Sequence, residues 1–169
     1  MDVTTLLILL LIGAVATLVS GDKLASKVAL LFSLVAFGLS INLLLQFNQG
    51  TDIGFVSNWI ANPKVALALK ADGLSMAMVL LTTALTPLII LSSFGNSFNN
   101  SKNFYALVLF MVFAMVGTFL SADGLLYYIF WELALIPIYF IALIWGNGDV
   151  KKKKKDVVKF FIYTLAGSL

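Results

Sequence analysis

One acid in this chain sits where an acid is costly. Glu132 lies in the run Phe130-Trp131-Glu132-Leu133-Ala134-Leu135-Ile136-Pro137, with eight residues of the apolar stretch before it and more than a dozen after it. At ~1.5 Å per helical residue, its carboxyl falls roughly 12 Å inside a hydrocarbon layer about 30 Å thick. A charged side chain at that depth costs on the order of 3 kcal/mol. Ion or proton transfer is the chemistry that such a placement serves. Tyr128 precedes Glu132 by four residues and Tyr139 follows it by seven, so on a helix the three share one face. Pro137 has no N–H, which frees the Leu133 carbonyl beside Glu132 to hold a water.

Burial favours the neutral acid, and a nearby cation restores the charge. Unit charges about 4 Å apart interact by about 4 kcal/mol at an effective dielectric of about 20. A carboxylate whose cationic partner can approach and withdraw is therefore a proton switch. The competing reading is a protonated Glu132 that hydrogen-bonds to a neighbouring helix and serves packing alone.

Other residues suggest milder chemistry. Asp72-Gly73-Leu74 and Asp123-Gly124-Leu125 each open an apolar run. An aspartate there caps free N–H groups and complements the helix dipole; Asp123 is also a candidate for proton exit. Thr82, Thr83 and Thr86 precede Pro87, which frees the Thr83 carbonyl, and threonines re-satisfy such kinks in membrane helices. Lys151 to Lys155 read as a topology anchor drawn to anionic lipid. Lys159 either snorkels to the surface or guides protons inward.

Composition sets the class. The chain is 61% hydrophobic and 11% charged, with a mean hydropathy of +1.03. A soluble domain of 169 residues cannot hide that much apolar surface, so an integral membrane protein is expected. Cys and His are both absent, which removes the ligands of thiolate-bound iron–sulfur clusters, His-ligated haem and the common zinc sites. Gly146-Asn147-Gly148 is a short loop between apolar runs, not a nucleotide cradle. No cofactor is expected on this chain. The start lacks a basic region and a cleavage site, so no secretory signal is expected.

The elements that must position Glu132 are helices. Hydropathy predicts an all-α, polytopic transmembrane bundle forming one membrane domain. Its spans lie near 4–20, 28–47, 73–94, 104–120 and 124–145, with a partial sixth from 157 to 169. Residues 48–71 form the long outer loop, where Trp59 and Phe55 suit the interface and Lys64 to Lys70 suit a strand or short hairpin. Loops after odd-numbered spans, with the start of span six, carry nine lysines against two on the other side. The positive-inside rule then puts the N-terminus outside. From Val157 the last span covers only about 20 Å as helix, so continuation into a larger protein is expected.

Several segments together resemble a family. Asp72-Gly73-Leu74-Ser75 with Leu85-Thr86-Pro87, Phe104-Tyr105-Ala106-Leu107, Phe130-Trp131-Glu132-Leu133 with Ile136-Pro137, and Lys159-Phe160-Phe161-Ile162-Tyr163-Thr164-Leu165-Ala166-Gly167-Ser168 carry the likeness. The chain resembles the antiporter-like membrane subunits of respiratory complex I, and within them the subunit M family, counterpart of mitochondrial NADH dehydrogenase subunit 4. The resemblance implies the N-terminal part of a fourteen-helix protein. It implies that Glu132 is the family's fifth-helix glutamate, paired with a lysine on a seventh helix. It implies proton translocation coupled to quinone reduction, with NAD and quinone bound only by partner subunits. Partners would be other membrane subunits, the bilayer and protons, with no nucleic acid, in a bacterial inner membrane. Alternative readings are a subunit of an Mrp-type cation/proton antiporter or membrane-bound hydrogenase, and a truncated membrane protein that transports nothing.

Overall fold

Asp72 shows how this chain starts its helices. Its carboxyl accepts from the Ser75 N–H at 2.7 Å while the Ser75 hydroxyl accepts from the Asp72 N–H at 2.7 Å. This reciprocal box satisfies two groups that a helix end otherwise leaves open. Asp123 accepts from the N–H groups of Leu125 (2.9 Å) and Leu126 (3.3 Å). Asp149 does the same for Lys151 and Lys152. Each aspartate stands immediately before a helix.

A computed structural model describes residues 2–60, 65–95 and 98–168, with the side chains of residues 58–60 and 65 outside that description. The elements are α1 (Val3–Val19), α2 (Asp22–Asn48), β1 (Phe55–Ile60), β2 (Val65–Leu69), α3 (Gly73–Ser92), α4 (Ser101–Leu120), α5 (Gly124–Trp145) and α6 (Val150–Ser168). Helices α2 to α5 are long and apolar enough to cross a membrane, and α1 is an apolar helix of 17 residues. The chain is thus the multi-pass helical membrane protein expected, with α5 at its expected bounds.

Three helices begin three or more residues earlier than hydropathy predicts: α2 at Asp22 instead of 28, α4 at Ser101 instead of 104, and α6 at Val150 instead of 157. A hydropathy window stops at the first charges, whereas lysine is a good helix former and continues the helix into water. The five lysines from Lys151 are therefore helical, not part of a loop. Lys153 donates to the Gly146 carbonyl at 2.9 Å, placing a cation at the negative end of α5.

In the outer loop, β1 and β2 pair antiparallel, with Phe55 opposite Leu69 and Ser57 opposite Leu67. The hairpin is fastened to the α4–α5 turn: the Lys70 N–H donates to the Leu120 carbonyl and the Ala122 N–H to the Ala68 carbonyl, both at 2.8 Å. Val3 donates to the Ile53 carbonyl at 3.0 Å, tying the start of α1 to the same end. Phe55 is exposed there; the side chain of Trp59, and Lys64, lie outside the described residues.

At the opposite end, Asp22 joins two loops. Its side chain accepts from the Lys102 N–H at 3.0 Å, and the Ser101 hydroxyl donates to its carbonyl at 2.8 Å. Asn100, at φ 55, makes no side-chain cap of α4, so Asp22 caps that helix from α2. Asp22→Ala should cost about 1 kcal/mol, the usual worth of a cap. Hydrogen exchange should then speed up at Ser101 to Asn103 before it does elsewhere in α4.

Small residues let the helices approach. Ala25, Ala29, Ser33, Ala36 and Ser40 form the buried stripe of α2, and the Phe32 ring fills the notch at Gly13 of α1. Ser40 and Thr83 share a buried hydrogen bond of 2.8 Å between α2 and α3. The threonine hydroxyls bond back to the turn before Pro87: Thr82 to the Met78 carbonyl, Thr83 to Val79 and Thr86 to Thr82. None of these reaches the Thr83 carbonyl, contrary to expectation. A threonine hydroxyl on a helix points back towards the preceding turn, so it serves that turn instead of the carbonyl Pro87 releases.

Asp72 also makes stability depend on pH. The Ser75 N–H, then the Ser75 hydroxyl, hold its carboxyl below the ordinary value of 3.8. A depressed folded-state value means the stabilisation is complete above 3.8 and is lost as pH falls through the lower folded value. Thermal unfolding in detergent should therefore show a falling midpoint below about pH 4. Asp72→Asn should keep the cap and remove that component.

Candidate proton-transfer site

Helix α5 is held by α4 along one side and meets α6 along another. Phe130 sets its rotation. A Cβ at Gly117 of α4 would lie 2.3 Å from the Phe130 ring, so the ring occupies the space a side chain would need. Phe113 meets the same ring edge-on at 5.6 Å. At the lysine-rich end the Trp145 Nε1–H donates to the Asn99 carbonyl at 3.0 Å, and Asp123 caps the other end. Glu132 follows Phe130 by two residues, which is about 200° around a helix. Seating Phe130 in α4 therefore turns Glu132 away from α4, towards α6.

Two contacts mark the α5–α6 seam. The Ser168 hydroxyl donates to Glu132 Oε1 at 2.5 Å. The Tyr139 and Phe161 rings meet edge-on at 5.2 Å. Tyr139 lies seven residues from Glu132, and Phe161 lies seven from Ser168, so antiparallel helices bring both pairs into register. The four-residue loop after Trp145 makes the two helices neighbours. Tyr128 lies one helical turn before Glu132 on α5. Beside them lies a cleft of about 420 Å³, lined by Tyr128, Trp131, Thr164 and Ser168 among others.

Of the residues singled out in the sequence, Tyr128, Glu132 and Tyr139 thus face one seam. Asp123 is apart from them, engaged in capping α5. Lys159 is apart as well. It is exposed and stands nine residues from Ser168, which is about 14 Å along α6 and half a turn around it. Among the described residues no lysine forms an ion pair with Glu132.

No protein-family model matches the chain. Individual relatives do. Subunit M of the F(420)H(2) dehydrogenase of Methanosarcina mazei is 36% identical over 174 residues, covering 100% of this chain and 34% of the relative. NADH-ubiquinone oxidoreductase chain 4 of Arabidopsis thaliana is 35% identical over 150 residues, covering 87% of this chain and 30% of the relative. NAD(P)H-quinone oxidoreductase chain 4 of Prochlorococcus marinus is 34% identical over 145 residues, covering 86% and 26%. The chain belongs to the subunit M/chain 4 family.

It spans about a third or less of the length of these curated relatives. The family resemblance carried by the Phe130-Trp131-Glu132-Leu133 and Lys159 to Ser168 segments is therefore borne out. What the sequence did not single out in this subunit M/chain 4 chain is Ser168 as the partner of Glu132. The loop of four residues between α5 and α6 makes the two helices neighbours, but it does not by itself set Ser168 opposite Glu132. Asp22 was missed because it caps a helix distant in sequence.

Proposed function

We propose that this chain contributes the glutamate-bearing part of a proton-translocating membrane subunit in a quinone-reducing dehydrogenase complex, with Glu132 as the proton-transfer carboxylate. The observation that carries the reading is the Ser168–Glu132 hydrogen bond inside the α5–α6 seam. It sits roughly 12 Å down α5, on a face shared with two tyrosines. A carboxyl there costs little when neutral and much when ionised, so a cation that moves towards or away from it changes its proton affinity. The family resemblance implies a lysine on a later helix in that role.

The redox work then belongs elsewhere. With no Cys or His, this chain would act as a non-redox subunit of a translocase, without its own cofactor, and partner subunits would bind NAD and quinone. The names of the relatives include both NADH and F(420)H(2) donors. We take the donor to be set by the partners, not by this chain. The lysine-rich end would face the cytoplasm of a cell membrane.

The test compares Glu132→Gln with the unaltered full-length protein in the assembled complex, measuring protons moved per electron delivered to quinone. Loss of proton movement supports the role; unchanged proton movement refutes it.

A further inference from the structure

Ser168 reaches two acceptors with one proton. Its hydroxyl lies 2.5 Å from Glu132 Oε1 and 2.9 Å from the Leu165 carbonyl. A hydroxyl has a single O–H to donate and two lone pairs to accept with, so it cannot serve both oxygens fully at once. We infer that the Ser168 hydroxyl is a reversible rotor that holds the Glu132 carboxyl in both of its protonation states. This rests on the proposed role of Glu132 and adds a positioning residue to it.

The argument follows the hydrogens. An ionised carboxylate only accepts, so the Ser168 proton points to Glu132 Oε1 and stabilises the charge. When Glu132 takes up a proton, its own O–H donates to a lone pair on Ser168 Oγ, and the Ser168 hydrogen swings to the Leu165 carbonyl. No heavy atom has to move. The carboxyl thus keeps one geometry through a proton cycle, and the rotation passes the hydrogen-bond direction along the seam.

The surroundings fit such a rotor. The other titratable groups on this face are Tyr128 and Tyr139 of α5, and Tyr128 lines the adjoining cleft with Ser168. From α6, Thr164 and Ser168 line the adjoining cleft. Lys159 lies on the far side of α6, and the lysines from Lys151 to Lys155 cluster at its other end. From α4, the Gly117 notch and Phe113 engage Phe130.

The experiment uses the assembled complex and three variants: Ser168→Ala, Ser168→Thr and Glu132→Gln. Proton translocation per electron is measured with the infrared C=O band of protonated Glu132, identified by its loss in Glu132→Gln. Ser168→Ala should slow translocation about tenfold, as expected for losing one hydrogen bond to a charged group. Its band should move to higher wavenumber, because the acid has lost its hydroxyl partner. Ser168→Thr keeps the hydroxyl and should restore both readouts, which separates the rotor from packing.

Wild-type translocation in Ser168→Ala, an unmoved band in that variant, or equal loss in Ser168→Thr would each overturn the rotor. If Glu132→Gln itself translocates normally, the role proposed for Glu132 fails. If Glu132→Gln is silent and Ser168→Ala is normal, only the rotor fails.

Discussion

Glu132→Gln should leave every helix in place and reduce proton translocation at least about a hundredfold, the scale of removing a general acid–base group. Glutamine has nearly the same volume and its amide oxygen can still accept from Ser168, so the α5–α6 seam keeps its hydrogen bond. What it loses is titration. Taking an ionisable group out of the membrane interior removes a penalty on the order of 3 kcal/mol for the charged form. Thermal stability in detergent should accordingly hold or rise while transport falls. A parallel loss of stability and transport would indicate that Glu132 serves packing. The measurement is proton uptake by vesicles containing the complex, normalised to quinone reduction.

Gly117→Val should be the most damaging substitution for the fold. A Cβ alone at this position would lie 2.3 Å from Phe130 Cδ1, 2.4 Å from Cε1 and 2.6 Å from Cγ. The ring cannot yield towards Phe113, which meets it edge-on at 5.6 Å. Overpacking of this kind costs about 3 kcal/mol. It also rotates α5, since the seat of Phe130 decides which way Glu132 points. Trimming the ring should compensate: Gly117→Val with Phe130→Ala should be more stable than Gly117→Val alone. Unfolding in detergent, read as a double-mutant cycle, would show the coupling. Additive effects would mean that Phe130 and Gly117 do not set the rotation.

Much of this architecture is legible in the sequence. Helix α5 begins at Gly124 and ends at Trp145 as expected, because Asp123 provides the start and Gly146 stops an unbroken apolar run. The shared face of Tyr128, Glu132 and Tyr139 followed from helical spacing alone. The neighbour of that face did not, since hydropathy treats α6 as beginning at Val157 and says nothing about pairing. The helix starts seven residues earlier because Asp149 caps it and lysine tolerates helix.

Hairpin pairing was only half visible. Alternating Val65-Ala66-Leu67-Ala68-Leu69 suggested a strand, but its attachment to Ser121 is a contact across 52 positions. No local pattern encodes that. The same holds for Asp22 and Ser101, which lie 79 positions apart. Caps supplied within a helix's own sequence are readable, and caps supplied by another helix are not.

The central claim is that Glu132 gains and loses a proton within the α5–α6 seam while the complex works. Redox-triggered infrared difference spectroscopy on the assembled complex tests it most directly, in wild type and in Glu132→Gln. The account predicts a protonated-carboxyl band that rises and falls with turnover and is missing from the variant. The same band in both proteins, or no carboxyl change during turnover, would contradict it.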